Sequence, residues 1–217
     1  MLKWMENFWY HHKWAVIITV FFLVVLIVCA AQMSSRVQYD FNVIFVGNGG
    51  NITGIQYNDI LSSLEKVSYD ADGNGKTSVC FSRETFISDQ ESELVSNLNS
   101  NITSFMQSSL YQDYYVYFID PVLYENYKNE GVFVPIALHV NNVDENMLND
   151  ELSIRLGDCA FYDYPGISAM PEDTLIVLKT VPYFSSDKKT NDQKQIQSIH
   201  ADLIENIILL GARSSEK

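Results

Sequence analysis

From Trp14 to Ser35 the chain carries no charged residue in 22 consecutive positions, and from Ala15 to Ala31 only Thr19 bears a hydroxyl. At about 1.5 Å rise per residue, such a run spans roughly 30 Å as a helix, the thickness of a bilayer's hydrocarbon region. Lipid offers no partner to free backbone N–H and C=O groups, so a segment that enters it must satisfy them internally. Trp9, Tyr10 and Trp14 stand where an interfacial aromatic belt would lie. The sequence therefore predicts a transmembrane helix from Trp14 to Gln32, with residues 1–13 before it. A short linker over 33–40 and a folded domain over 41–217 follow it.

The flanking charges set the expected orientation. Lys3 and Lys13, with His11 and His12 beside them, precede the span, whereas Arg36 alone follows closely and Asp40 lies just beyond. The positive-inside rule places the N-terminus in the cytoplasm and the domain outside the cell membrane. A cleaved signal peptide is the competing reading, since Val28-Cys29-Ala30 has small residues at a cleavage spacing. Its apolar region would be about 7–15 residues, shorter than this one.

The whole chain has 14 basic and 27 acidic residues; setting aside Lys3, Lys13 and Glu6 leaves 12 against 26 beyond the span, a net of −14. So negative a field argues against nucleic acid and against lying flat on anionic lipid. Of three cysteines, Cys29 falls within the span, and Cys80 and Cys159, 79 positions apart, form no disulfide framework. Two free thiols are expected there, with one bridge open as the alternative.

Beyond the span, strand-like and helix-like stretches alternate. Val43 to Val46 is a short apolar run ended by Gly47-Asn-Gly-Gly50, a strand running into a turn. Tyr57 to Val67 carries Ile60, Leu61, Leu64 and Val67 at helical spacing, and Thr77 to Phe81 returns as a strand. Asp89 to Leu110 has an amphipathic stripe with acidic residues in its first turn. Tyr114 to Ile119 is the clearest strand, and Asp120-Pro121 opens a helix to about Asn129, with Asp as N-cap and Pro at the first helical position. Leu152 to Leu156, Ala160 to Tyr162 and Leu175 to Thr180 predict further strands. Ser185 to Gln195 predicts an exposed loop into a last helix, Gln193 to Leu210. This order predicts an α/β fold: one open, mainly parallel sheet with helices on both faces.

The stretch Tyr117-Phe-Ile-Asp-Pro-Val-Leu-Tyr-Glu-Asn-Tyr-Lys-Asn-Glu-Gly-Val-Phe-Val-Pro-Ile136 resembles the extracellular solute-binding proteins of bacterial ABC importers. There a strand ending in Asp leads into a short helix and then a Gly-apolar-apolar-Pro-apolar segment. Leu156 to Leu178, and Trp9-Tyr-His-His-Lys-Trp14 before the span, are similar to small membrane-tethered relatives in Gram-positive bacteria. The resemblance implies a periplasmic-binding-protein-like lobe, and the 185 residues beyond Gln32 leave room for one lobe rather than a closing pair. It also implies an ABC-transporter or envelope protein as partner.

Two motifs carry candidate binding residues. Gly47, Asn48, Gly49, Gly50 and Asn51 follow the first strand, and Asp120 ends a later one; ligands of open α/β sheets bind at such strand ends. The glycine loop lacks the Lys-Ser/Thr of a P-loop. Asp70-Ala-Asp-Gly-Asn-Gly-Lys76 matches the opening of a calcium loop. The side chains of Asp70, Asp72 and Asn74 would serve as ligands with the Lys76 carbonyl, but Phe81 stands where the closing bidentate Glu belongs. A polar turn rich in Asp, Asn and Gly is the plainer account. Asn51-Ile-Thr and Asn101-Ile-Thr are glycosylation sequons only in a eukaryotic secretory pathway.

Tyr111, Tyr114, Tyr115, Tyr117 and Phe118 are read as core, with tyrosine hydroxyls reaching water. His139 and His200 show no metal or triad spacing, and the acidic pair Asp158 and Asp163 is one of many. The expectation is a non-enzymatic, single-pass membrane protein without a resident cofactor, whose outer domain is a binding or interaction domain of solute-binding type. A structural or sensory protein that binds no small molecule is the alternative.

Overall fold

The computed structural model describes residues 2–34, 39–47, 52–85, 114–141, 143, 147–182 and 186–214. It divides into two units, Met1–Gln38 and Tyr39–Lys217.

The first unit is one helix, α1 (Leu2–Ser34), which begins twelve residues before Trp14 because nothing in the N-terminal segment breaks a helix. Trp9–Ala30 is long and apolar enough to cross a membrane, and none of that stretch is buried against protein. Phe21, Phe22 and Leu26 stand more than half exposed, so the helix is apolar on all sides with nothing in the unit to cover it. Between Ala15 and Ala31 the one hydroxyl is already satisfied, as Thr19 Oγ1 donates to the Ala15 carbonyl at 2.8 Å.

The second unit is built on a seven-stranded mixed sheet. Its strands are β1 (Phe41–Gly47), β2 (Val79–Thr85), β3 (Val116–Ile119), β4 (Phe133–Val134), β5 (Leu148–Asp150), β6 (Ser153–Arg155) and β7 (Leu175–Lys179). They lie in the order β2-β1-β3-β7-β6-β5, with β4 also on β7. β1 is parallel to both β2 and β3, while β7 is antiparallel to β3, β4 and β6. Five strands thus run one way and β7 and β5 the other. Helix α2 (Gly54–Val67) carries the chain from β1 to β2, α3 (Pro121–Tyr127) follows β3, and α4 (Asp187–Ser214) closes the chain.

Period-two burial sorts the strand side chains onto two faces. Val43, Phe45, Val116, Phe118, Ile176 and Leu178 pack with Ile60 and Leu64 of α2 and Leu203, Ile204 and Ile207 of α4. Ile44, Val46, Tyr117, Ile119, Leu175 and Val177 pack with Leu123 and Tyr124 of α3. Helices therefore cover both faces, as the alternation of elements implied.

Several expectations need correction. Ala160 to Tyr162 is no strand: Ala160–Asp163 is a 3-10 helix, one of three short turns between β6 and β7. Each tucks a single apolar residue inward, Leu156, Phe161 and Ile167 in sequence, a spacing that suits neither strand nor long helix. The supposed loop over Ser185 to Gln195 is mostly helix, since α4 starts at Asp187 and its polar first turns simply face water. Tyr115 and Tyr117 are fully buried, so their hydroxyls do not reach solvent; Tyr115 instead bonds the Gln193 side chain. Cys80 and Cys159 are free thiols, half-buried and buried; burial pushes the Cys159 thiol up to about 12. The helix expected over Asp89 to Leu110 lies outside the described residues, as does Tyr111.

Candidate functional site

The order β2-β1-β3 places the chain's topological switch point between β1 and β3, at whose carboxyl ends open α/β sheets bind ligands. Gly47 ends β1 and Asp120 follows β3, and the two meet. The Asp120 N–H donates to the Val46 carbonyl at 2.9 Å. A Cβ built on Gly47 would lie 2.9 Å from the Asp120 Cβ and 3.3 Å from the Phe45 ring, so only glycine fits this approach. Asp120 Oδ1 accepts from the Val122 N–H at 2.8 Å and caps α3. Asn48, Gly49, Gly50 and Asn51 lie outside the described residues.

The Ile52 carbonyl accepts from the Arg83 guanidinium of β2. At Thr53 a capping box opens α2: Thr53 Oγ1 accepts from the Gln56 N–H, and Gln56 Oε1 accepts from the Thr53 N–H at 2.7 Å. Ile55 and Val122, in the first turns of α2 and α3, are strongly exposed. The Asp120 carboxylate and the Arg83 guanidinium are both engaged within the protein at this end of the sheet.

The acidic loop lies at the opposite, amino end of the same strands. Three carboxylates converge there: Asp70 and Asp72, which the motif named, and Asp40, which it did not, with oxygens within 4.8 Å of one another. Asp40 immediately precedes β1, and the loop feeds β2. In a parallel β-α-β unit those two starts are neighbours, here joined by the Asp40 N–H donating to the Ser78 carbonyl at 3.0 Å. That adjacency is the signal by which Asp40 could have been found. Gly73 and Gly75, at φ 74° and 87°, adopt the left-handed backbone the turn requires.

An all-oxygen set of this kind suits a hard cation such as calcium better than zinc. Yet every one of the six carboxylate oxygens already accepts a hydrogen bond. Asp40 takes the N–H groups of Ala71, Asp72 and Ser78 and the Ser78 hydroxyl. Asp70 takes the N–H groups of Gly73, Asn74 and Gly75. Asp72 takes the backbone and side-chain N–H groups of Asn74. Burial alone would raise the Asp40 carboxyl, but these donors outweigh it and hold the group below its ordinary range. Asn74 Oδ1 accepts from the Lys76 N–H at 2.9 Å. The loop is thus a turn tied by its own amides.

A buried polar node missed by the sequence joins α4 to the sheet. His200 sits on the apolar stripe of α4 and is 1% exposed. Its Nε2 accepts from the Asn42 N–H at 2.9 Å and its Nδ1 lies 2.8 Å from the Ile196 carbonyl, which fixes a neutral ring with the proton on Nδ1. Burial, reinforced by the Lys179 ammonium and opposed by the Ile196 bond, lowers its pKa to about 4. Lys179 lies over the Tyr115 ring at 4.7 Å, and its carbonyl accepts from the Gln197 side chain at 2.6 Å. With both ring nitrogens committed, His200 serves packing rather than proton transfer. His139, Asp158 and Asp163 are exposed on the surface. No protein-family model, curated protein or solved structure matches the chain.

Proposed function

We propose that this protein is a single-pass, membrane-anchored binding domain, with its N-terminus in the cytoplasm and a non-catalytic α/β lobe of solute-binding type outside. It serves a transporter or another envelope complex. The observation that carries this is α1, whose stretch Trp9–Ala30 turns apolar side chains outward on every side with no protein against them. Water would leave that surface uncovered at roughly 25 cal/mol per Å². The binding role is supported by the convergence of Gly47 and Asp120 at the switch point, beside the capped first turn of α2.

A specific observation favours the second reading, a structural or sensory protein with no small-molecule ligand. The space beside Gly47 is filled by Asp120, whose carboxylate is engaged in capping α3. Melting temperatures of the full chain in detergent, measured against sugars, amino acids, peptides and calcium, separate the two. A ligand raises the melting temperature by mass action, and Asp120→Ala should abolish that rise. If every compound leaves it unchanged, the structural reading stands. Calcium should give no shift, while Asp70→Ala should cost roughly 1–3 kcal/mol from lost acceptors. A calcium-dependent rise that Asp70→Ala removes would instead make the loop an ion site.

A further inference from the structure

We infer that Asn74–Gly75 is a latent deamidation site that the acidic loop holds shut. An Asn–Gly peptide is prone to this chemistry because glycine places no side chain between its nitrogen and the preceding side-chain amide. The Gly75 nitrogen gives its proton to solvent and attacks Asn74 Cγ. The new N–Cγ bond forms as Cγ–Nδ2 breaks, and Nδ2 takes a solvent proton and leaves as ammonia. Water then opens the cyclic imide at either carbonyl, leaving aspartate or isoaspartate at 74. Solvent water is the only co-reactant, and both residues are exposed to it.

The three atoms that must move are each anchored. The Gly75 N–H donates to Asp70 Oδ2 at 2.7 Å, Asn74 Nδ2 donates to Asp72 Oδ2 at 2.7 Å, and Asn74 Oδ1 accepts from the Lys76 N–H. Charge acts in the same direction. The attacking amide and the tetrahedral intermediate are anionic, and the carboxylates of Asp40, Asp70 and Asp72 cluster at this loop, so a further negative charge is disfavoured. The Lys76 N–H polarises the amide the other way, one neutral donor against three charges. Conversion would put a fourth carboxylate beside the three and remove the donor that Asp72 accepts, loosening the loop that feeds β2.

The full chain in detergent micelles, incubated at mildly alkaline pH and followed by peptide mass mapping, tests this. Asn48–Gly49 is a second Asn–Gly in the same digest, and the chain in denaturant gives the unrestrained rate at both. Native Asn74 should convert about ten- to a hundredfold more slowly than in denaturant, the equivalent of one charge-assisted hydrogen bond. Asp70→Asn keeps one oxygen for Gly73 and Asn74 but cannot hold the Gly75 N–H in the same way, and should restore most of that rate with the circular dichroism unchanged. Should that variant unfold, Asp72→Ala removes the acceptor of Asn74 Nδ2 together with one charge and should also speed conversion. A native rate equal to the denatured one, or folded variants no faster than the parent, would overturn the inference.

Discussion

Asp40→Ala should destabilise the α/β unit by roughly 2–4 kcal/mol, since it strips an acceptor from several part-buried donors at once. Three backbone N–H groups and the Ser78 hydroxyl converge on this carboxylate. None has a ready substitute, because the turn that presents them was shaped around it. Asp40→Asn, of the same size with one acceptor oxygen, should cost about half as much. The carboxyl is held below its ordinary value of 3.8. Its contribution is therefore complete above that pH and lost only as pH falls through the lower, folded value. Denaturant titration of both variants at neutral pH measures the difference. A loss below about 0.5 kcal/mol for the alanine variant, the range of an ordinary surface change, would show that the loop stands without it.

Acid should weaken the same unit through His200 as pH falls below 6.5. The ring is neutral in the fold with a pKa lowered from 6.5 to about 4, so the unfolded chain binds the extra proton between those values. A lowered histidine makes stability complete above pH 6.5 and progressively lost as pH falls toward 4. The gap is worth on the order of 3 kcal/mol. Protonation would also set an N–H on Nε2 against the Asn42 N–H it now accepts from, close to the Lys179 ammonium. Denaturation midpoints stepped across this window should fall steadily in the parent chain. His200→Phe should lower stability at neutral pH, because Asn42 loses its acceptor, and flatten the slope. A parent slope that survives the substitution would assign the titration elsewhere.

Local chemistry made much of the fold legible. The β1-α2-β2 unit, β3 and the Asp120-Pro121 start of α3 could be read because period, cap and proline agreed over short stretches. α1 was legible because so long an apolar run without Gly or Pro has nothing to interrupt a helix. What escaped was non-local. β4 and β5 are two and three residues long, too short for any period, and exist because β7 and β6 offer them edges. The turns after β6 follow no strand or helix repeat. At the sites, Gly47 and Asp120 could be paired from strand ends alone, and Asp70 and Asp72 from their spacing. Asp40 required knowing that β1 and β2 are parallel neighbours, and His200 reads as one polar position on an apolar stripe until α4 is laid against Asn42.

The proposed place of the protein rests on α1 crossing a bilayer with the lobe outside. Expression of the full chain with a C-terminal epitope in bacterial spheroplasts tests it in one experiment, by alkaline extraction of the membranes and protease treatment of the intact spheroplasts. The epitope should stay in the membrane pellet after extraction, and external protease should remove it while a cytoplasmic marker survives. A chain released by alkaline extraction, or an epitope that external protease reaches only after lysis, would contradict the account.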